Sequence, residues 1–265
     1  MTDRIYYEVS LPSKGLLYEN RLSVVEVAPM RTIEEKYLAA GRKDWVQSLN
    51  RILTNCIKDL KGMSAQDLLS GDRIFLLFCI RMFSYGKDYS FMIKCPDCGA
   101  RFRHTMLIMD DLRIFELPDD ASEPFYTKLP QSGLKIGFRL LRGYDEMQID
   151  KYVSREMMRT SSETAPFDAG YVHRLARHIV SVNDNEVSLM DAEHIIENLN
   201  AGDSLYLRES IDAVDCGIDL NINIECPSCG YYIEEIMPFT KEFFRPVRIT
   251  RRDNRPAASF IRNQG

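Results

Sequence analysis

The chain contains one cysteine turn twice, and this repetition constrains its fold more than any other feature of the sequence. The segment IKCPDCGARF spans residues 93–102, and IECPSCGYYI spans residues 224–233. In each C-P-x-C-G unit two thiols point the same way from a tight turn, which the proline stiffens and the glycine permits by tolerating a positive φ. Two such turns facing each other would complete a tetrahedron around one Zn²⁺, with bonds of about 2.3 Å. The predicted ligands of this shared, zinc-ribbon-like structural site are Cys95, Cys98, Cys226 and Cys229.

Other uses of these cysteines are open. Each knuckle could hold its own metal with ligands from elsewhere, or the cysteines could be vestigial or redox-active. His104 is the only histidine near a knuckle, whereas His173 and His178 are expected at surface or capping positions of a helix. A catalytic zinc is not expected, because four thiolates leave no open position for water or substrate. Three further cysteines are interpreted as small buried hydrophobes, namely Cys56, Cys79 and Cys216.

The similarity between the two parts of the chain extends well beyond the knuckles. Residues 71–108 align without a gap on residues 202–239, with 12 identities in 38 positions. Upstream, LPSKG at residues 11–15 and LPQSG at residues 129–133 each precede alternating, strand-like residues. Two apolar stripes with helical spacing also correspond, formed by Val46, Leu49, Leu53 and Cys56 and by Val172, Leu175, Ile179 and Val182. The sequence therefore predicts a tandem duplication.

The predicted fold is α+β, and each half consists of a short hairpin, helices and a terminal hairpin around a knuckle. The predicted domains are a first half at 1–118 with its knuckle at 95–99, a second half at 119–240 with its knuckle at 226–230, and a basic C-terminal docking tail at 241–265. Helices are expected near 31–41, 43–60, 64–85, 143–159, 168–182, 189–199 and 202–215, and strands near 88–94, 100–109, 218–225 and 231–237.

Charge is distributed unevenly along the chain. The formal net charge is −5, but residues 241–265 carry seven Lys or Arg against two acids and contribute +5, so the remainder carries −10. Such a tail can bind nucleic acid or dock on an acidic protein, and its phenylalanines and isoleucines favour the second use. The first residues lack the basic start and apolar centre of a secretory signal, and no run of about 18 apolar residues occurs. These features predict a soluble, intracellular protein.

Common catalytic signatures are missing from the sequence. It contains no G-x-x-x-x-G-K-[ST] or G-x-G-x-x-G loop, no H-E-x-x-H helix and no G-x-S-x-G elbow. Adjacent acidic pairs are expected to be solvated charges, because 39 acids in one chain make such pairs inevitable. The sequence therefore offers no catalytic residues.

Two segments resemble the T4-type baseplate (hub) proteins of contractile-tailed bacteriophages. They are LPSKGLLY at residues 11–18 and GDRIFLLFCIRMFSYGKDYSFMIKCPDCG at residues 71–99. The resemblance is weaker in the second half, where the helix before CPSCG differs, and it does not extend to the basic tail. It implies a non-enzymatic structural or assembly role through contacts with other tail proteins. It also implies a protein made in the host cytoplasm and located in the tail baseplate, with no catalytic residue.

Function classes outside the baseplate are also open. The knuckles and the basic tail would suit a zinc-ribbon protein that binds nucleic acid, although the acidic body opposes this interpretation. An enzyme with a pocket between the two halves is a third possibility. Neither a small-molecule substrate nor a membrane partner is expected.

Overall fold

The first half runs from a β-hairpin through three helices to the first knuckle hairpin. The computed structural model describes residues 4–39, 45–159, 168 and 170–244. The elements of this half are β1 (Tyr7–Ser10), β2 (Val24–Val27), α1 (Thr32–Ala39), α2 (Trp45–Cys56), α3 (Ser70–Tyr85), β3 (Asp88–Lys94), β4 (Arg101–Leu107) and the short strand β5 (Ile114–Phe115). Antiparallel pairing joins β1 to β2 and β3 to β4. The predicted helices near 31–41 and 43–60 and both predicted strands are found within a few residues.

Helix α3 begins later than the predicted start near residue 64. Asp67 accepts hydrogen bonds from the backbone N–H and the hydroxyl of Ser64, and Leu69 has an extended backbone with φ −56° and ψ 143°. Bonds from a short polar side chain to nearby backbone stabilise a turn in competition with a helix. The helix therefore starts only after Leu69.

The second half places four strands in one antiparallel sheet and ends in the second knuckle hairpin. Its elements are β6 (Phe125–Lys128), β7 (Lys135–Phe138), α4 (Gly143–Arg159), α5 (Tyr171–Ala176), β8 (Ile179–Val182), β9 (Asn185–Glu186), α6 (Leu189–Glu197), α7 (Ala201–Asp212), β10 (Gly217–Ile218), β11 (Asn221–Glu225), β12 (Tyr232–Ile236) and α8 (Lys241–Phe244). The sheet has the order β6-β7-β8-β9, and β10 pairs with β5 of the first half. Within the described ranges, no helix has the length and apolar character required to cross a lipid bilayer.

The predicted helix near 168–182 is wrong in its C-terminal part. Helix α5 ends at Ala176, and Ile179–Val182 form β8, which pairs with β7. A two-residue turn at Asn183 and Asp184, with φ values of 49° and 64°, then leads into β9. Positive φ at both turn positions matches the twist of a hairpin. Pairing with a strand about forty residues away thus overrides the helical spacing of the apolar residues.

Capping side chains set the beginnings of two helices in the second half. The Ser188 hydroxyl accepts a hydrogen bond from the Asp191 N–H at the start of α6, and the Asn200 carbonyl oxygen of the side chain accepts one from the Asp203 N–H at the start of α7. Each bond satisfies a backbone donor that the first helical turn leaves free. Both helices match the predicted positions near 189–199 and 202–215.

A buried aspartate joins a helix to a Pro-Gly loop in both halves. Asp72 of α3 accepts from the Ser13 N–H at 3.0 Å. Asp203 of α7 accepts from the Gln131 N–H at 2.9 Å and from the Ser132 N–H at 2.8 Å. The two loops are LPSKG and LPQSG, and Ser13 and Gln131 occupy the same position in them. The same local contact is therefore made twice.

Replacing Asp203 with asparagine is expected to destabilise the protein at neutral pH. Burial raises the pKa of Asp203, but hydrogen bonds from Ser132 and Gln131 outweigh burial and hold the pKa below its ordinary value. A lowered folded-state pKa contributes stability above the unfolded value of about 3.9, and this contribution is lost as pH falls through the folded pKa. Urea denaturation should thus show that D203N has a clearly lower free energy of unfolding than the wild type at pH 7. The difference should become smaller below about pH 4. The exposed D120N is the control, and an equal deficit at both pH values would contradict the prediction.

The start of the predicted docking tail lies in the core. Phe243 and Phe244 of α8 are fully buried, with 0% of each side chain exposed. The Phe243 ring lies 4.5 Å from the ring of Phe78 in α3, and the Phe244 ring lies 6.0 Å from Trp45 at the start of α2. The expectation that the phenylalanines of the tail contact a partner protein is wrong for Phe243 and Phe244, because both pack on the first half of their own chain. The rest of the tail, residues 245–265, lies outside the described residues.

Candidate metal centre

The first knuckle is a closed turn between β3 and β4. The Cys95 N–H donates to the Ala100 carbonyl at 2.9 Å, and the Gly99 N–H donates to the Cys95 carbonyl at 3.1 Å. Gly99 has a φ of 72°, a conformation that a residue without Cβ adopts readily. These bonds direct the thiols of Cys95 and Cys98 out of the same end of the hairpin.

The second knuckle has the same hydrogen bonds between β11 and β12. The Cys226 N–H donates to the Tyr231 carbonyl at 2.9 Å, and the Gly230 N–H donates to the Cys226 carbonyl at 2.9 Å. The φ of Gly230 is 73°, within one degree of its counterpart in the first knuckle. The two hairpins therefore present equivalent pairs of thiols.

The two pairs of thiols meet. The Sγ atoms of Cys95 and Cys229 are 3.7 Å apart, those of Cys98 and Cys226 are 3.8 Å apart, and all four lie within 4.8 Å of one another. A tetrahedral site with Zn–S bonds of about 2.3 Å requires sulfur atoms about 3.8 Å apart. The four sulfurs are thus close to the arrangement in which one ion could bind all of them.

Burial differs between the first and second cysteine of each knuckle. Cys95 and Cys226 are 0% and 1% exposed, whereas Cys98 and Cys229 are exposed. One side of the cluster is therefore embedded in the protein, and the other side borders solvent. All four are free thiols.

The thiols of the cluster influence one another's ionisation. Burial raises the pKa of Cys226, but hydrogen bonds from the backbone N–H groups of Ser228 and Cys229 outweigh it and lower the pKa to about 7. At Cys229 the N–H of Tyr231 lowers the pKa, but partial loss of hydration and the nearby thiols raise it to about 12. Several negative charges cannot share such a small volume without a cation. A bound divalent cation would remove this repulsion and favour all four thiolates.

The histidines agree less well with the sequence-based expectations than the cysteines do. Among the described residues, the cluster that could hold a metal ion contains only cysteines, and the His104 ring instead lies edge-on to Phe91 at 5.6 Å. The expectation of a surface or capping position does not hold for His173, which is only 7% exposed. Its ring stacks on Tyr152 at 4.0 Å, and its Nδ1 lies 2.5 Å from a Glu193 carboxylate oxygen. The partners of His173 are about twenty residues away in either direction, so no local sequence signal indicated its burial.

Fold and site together define the class of protein. It is a mixed α/β protein of helices and small antiparallel sheets, in which two cysteine knuckles that are distant in sequence meet in one four-thiol cluster. The family model described as T4 bacteriophage base plate protein matches residues 4–245, which is most of the chain. The protein therefore belongs to this family, and the resemblance noted in the sequence is confirmed.

Family membership gives the general role of the protein. The family implies a structural component of the phage baseplate, located in the tail of the virion. A structural role of this kind suggests a protein without catalytic activity. Comparison with curated proteins and with solved structures gives no match.

Proposed function

We propose that the protein is a structural component or assembly factor of a contractile-tail baseplate, in which one structural Zn²⁺ holds two duplicated halves together. It acts through contacts with other tail proteins and catalyses no reaction. The observation that carries this proposal is the meeting of Cys95, Cys98, Cys226 and Cys229 within 4.8 Å in a chain of the baseplate family.

Zinc is the proposed ion because all four donors are thiolates. Soft sulfur ligands in a tetrahedron favour zinc or an iron–sulfur cluster over the hard cations Mg²⁺ and Ca²⁺. Sulfur distances of 3.7 and 3.8 Å suit a single ion with four short bonds. Four protein ligands fill the coordination sphere, so the ion has a structural role and does not activate water.

The proposal includes the tandem duplication, with halves at 1–118 and 119–240. Matching backbone conformations support it, since Gly15 and Gly133 both have a φ of 70° and both knuckle glycines have nearly equal φ values. The repeated hydrogen bonds from a Pro-Gly loop to Asp72 and to Asp203 also support it. If the two halves had independent origins, there would be no reason for an equivalent buried carboxylate to bind the same loop position in both.

The basic tail is proposed to dock on a neighbouring tail protein. Because Phe243 and Phe244 are buried, the candidate docking residues are those of 245–265, which carry six arginines and one acid. Arginine side chains recognise carboxylates through paired hydrogen bonds. An acidic surface on the neighbour is therefore the expected partner.

Elemental analysis and particle purification test the proposal separately. The purified protein is expected to contain one zinc per chain, and the protein is expected to purify with tail particles. Absence of bound metal from protein prepared without chelator would contradict the structural zinc, but it would not contradict the role in the baseplate. Absence from particles and their precursors, together with DNA binding that weakens steeply with salt, would instead favour the zinc-ribbon nucleic-acid-binding alternative.

A further inference from the structure

Each knuckle hairpin exposes one side of its two strands to solvent. Along β3 and β4, every second residue is exposed, beginning with Asp88 and Arg101. The same alternation occurs along β11, and on β12 Tyr232, Glu234 and Ile236 are all exposed. The inward sides carry the buried residues, among them Tyr89 and Ile224. Each hairpin therefore has one outward face in addition to the side packed on the core.

The two outward faces differ in charge. We define the basic hairpin face by Met92, Lys94, Arg101, Arg103 and Leu107, and the acidic hairpin face by Asn223, Glu225, Tyr232, Glu234 and Ile236. One acid, Asp88, lies at the far end of the basic face. The acidic face has no Lys or Arg.

The charge difference occurs at equivalent positions. Lys94 and Glu225 each precede the first cysteine of a knuckle, and Arg103 and Glu234 each lie five residues after the second cysteine. Both pairs are related by the same offset of 131 residues as the knuckles. The backbone is thus the same at these positions, and the sign of the charge is reversed.

None of these charged groups is neutralised within the described part of the chain. Lys94, Arg103, Glu225 and Glu234 appear in no ion pair or side-chain hydrogen bond there. Lys94 also lies directly across from Arg101 in the strand register, and like charges at facing positions destabilise a strand pair. A counter-charge from another molecule would relieve this repulsion.

Apolar side chains lie among the charges on both faces. Met92 is 60% exposed on the basic face, and Tyr232 and Ile236 are 70% and 63% exposed on the acidic face. Exposed aromatic and apolar groups beside matched charges are typical of protein interfaces. The Tyr232 ring is also a suitable surface for an arginine side chain.

We propose that the basic hairpin face of one chain docks on the acidic hairpin face of a second copy of the same chain. Charge complementarity favours a second copy of the chain as the partner, because the two faces have the same arrangement of strands and opposite charges. In a pair of chains related by a twofold axis, each chain would use both faces, so the contact would form twice. This inference goes beyond the proposed function and does not depend on it.

The size of the faces predicts the strength of the contact. Strand spacing and rise give each face an area of about 200 Å². Two such contacts bury about 800 Å² in total, which is below the roughly 1,200 Å² of a stable interface. Association of isolated chains is therefore expected to be weak and to decrease with added salt, because the charges are exposed.

Charge reversal tests the contact through a mixing experiment. K94E/R103E makes both faces acidic, and E225K/E234R makes both faces basic. Each variant alone is expected to lose association by roughly 100-fold, because like charges would then meet. A mixture of the two variants is expected to associate again, since each then meets an opposite charge. Sedimentation equilibrium at about 0.05 M and about 0.5 M salt measures both effects.

Controls separate the charge effect from damage to the fold. K36E/K128E makes the same change in net charge as K94E/R103E, but at exposed positions outside both faces, and it should associate as the wild type does. Zinc content and thermal unfolding are measured for every variant, so that only folded proteins are compared. A wild type that remains monomeric at low salt, or a mixture that fails to associate, would overturn the proposal. Loss of salt-sensitive DNA binding in K94E/R103E, without self-association of the wild type, would assign the basic face to nucleic acid instead.

Discussion

Replacing Cys95 and Cys226 with serine is expected to abolish zinc binding and to remove most of the stability of the protein. These are the two buried cysteines of the cluster, one from each knuckle. Structural zinc contributes on the order of 10 kcal/mol, whereas a typical domain is stable by only about 5 to 15 kcal/mol. The variant is therefore expected to unfold at a much lower temperature and with poor cooperativity.

The long chain segment between the knuckles adds to this effect. Cys98 and Cys226 are separated by 127 residues. By analogy with a covalent crosslink, closing a loop of this size removes denatured-state entropy worth about 4 to 5 kcal/mol. A strong chelator should accordingly lower the unfolding temperature of the wild type and have little effect on the serine variant.

A matched control is a cysteine outside the cluster. Cys56 is fully buried in α2 and does not belong to the four-thiol cluster. C56A should retain one zinc per chain and lose stability only modestly, because it removes a single small sulfur atom from the core. Equal unfolding temperatures for C95S/C226S and the wild type would contradict a zinc ion that holds the two knuckles together. Equal losses of stability in C56A and C95S/C226S would contradict it as well.

Replacing Phe243 with alanine is expected to give the second large effect. The Phe243 ring is fully buried and contacts the rings of Phe78 and Tyr89, with centroids at 4.5 and 5.1 Å. Its carbonyl also accepts a hydrogen bond at 3.3 Å from the buried side chain of Arg81. Removing a buried phenylalanine ring leaves a cavity and typically destabilises a protein by about 3 to 5 kcal/mol.

Urea denaturation compares F243A with an exposed phenylalanine. Phe115 is 50% exposed in β5, so F115A should lower the free energy of unfolding by less than about 1 kcal/mol. Zinc content should remain at one per chain in both variants, because neither residue belongs to a knuckle, 95–99 or 226–230. Similar losses of stability in F243A and F115A would show that α8 does not belong to the core.

The cysteine cluster was predictable because ligand chemistry does not depend on the path of the chain. Two C-P-x-C-G turns each provide two thiols, and a tetrahedral ion needs four. The sequence could therefore identify the cysteines that meet, although Cys95 and Cys229 are 134 residues apart. The helices with caps or strong apolar stripes were predictable for a similar reason, since their signals are local.

The two larger failures, at β8 and at α8, occur where distant contacts decide the structure. The residues of β8 have the apolar spacing of a helix, but pairing with β7 makes them a strand. Phe243 and Phe244 lie in a segment whose arginines suggested an exposed tail, and their partners Phe78 and Trp45 lie more than 160 residues earlier. Composition describes a segment by itself, and it cannot show which distant surface will cover two of its residues.

The distance between the knuckles also has a consequence for synthesis of the protein. The ribosome adds about 5 to 20 residues per second, so Cys226 is made roughly 7 to 26 seconds after Cys95, which precedes it by 131 residues. During this interval the nascent chain displays only half of the ligand set. The four thiols therefore cannot meet until the second knuckle has been made, and the proposed zinc ion could gain its full set of ligands only after that point.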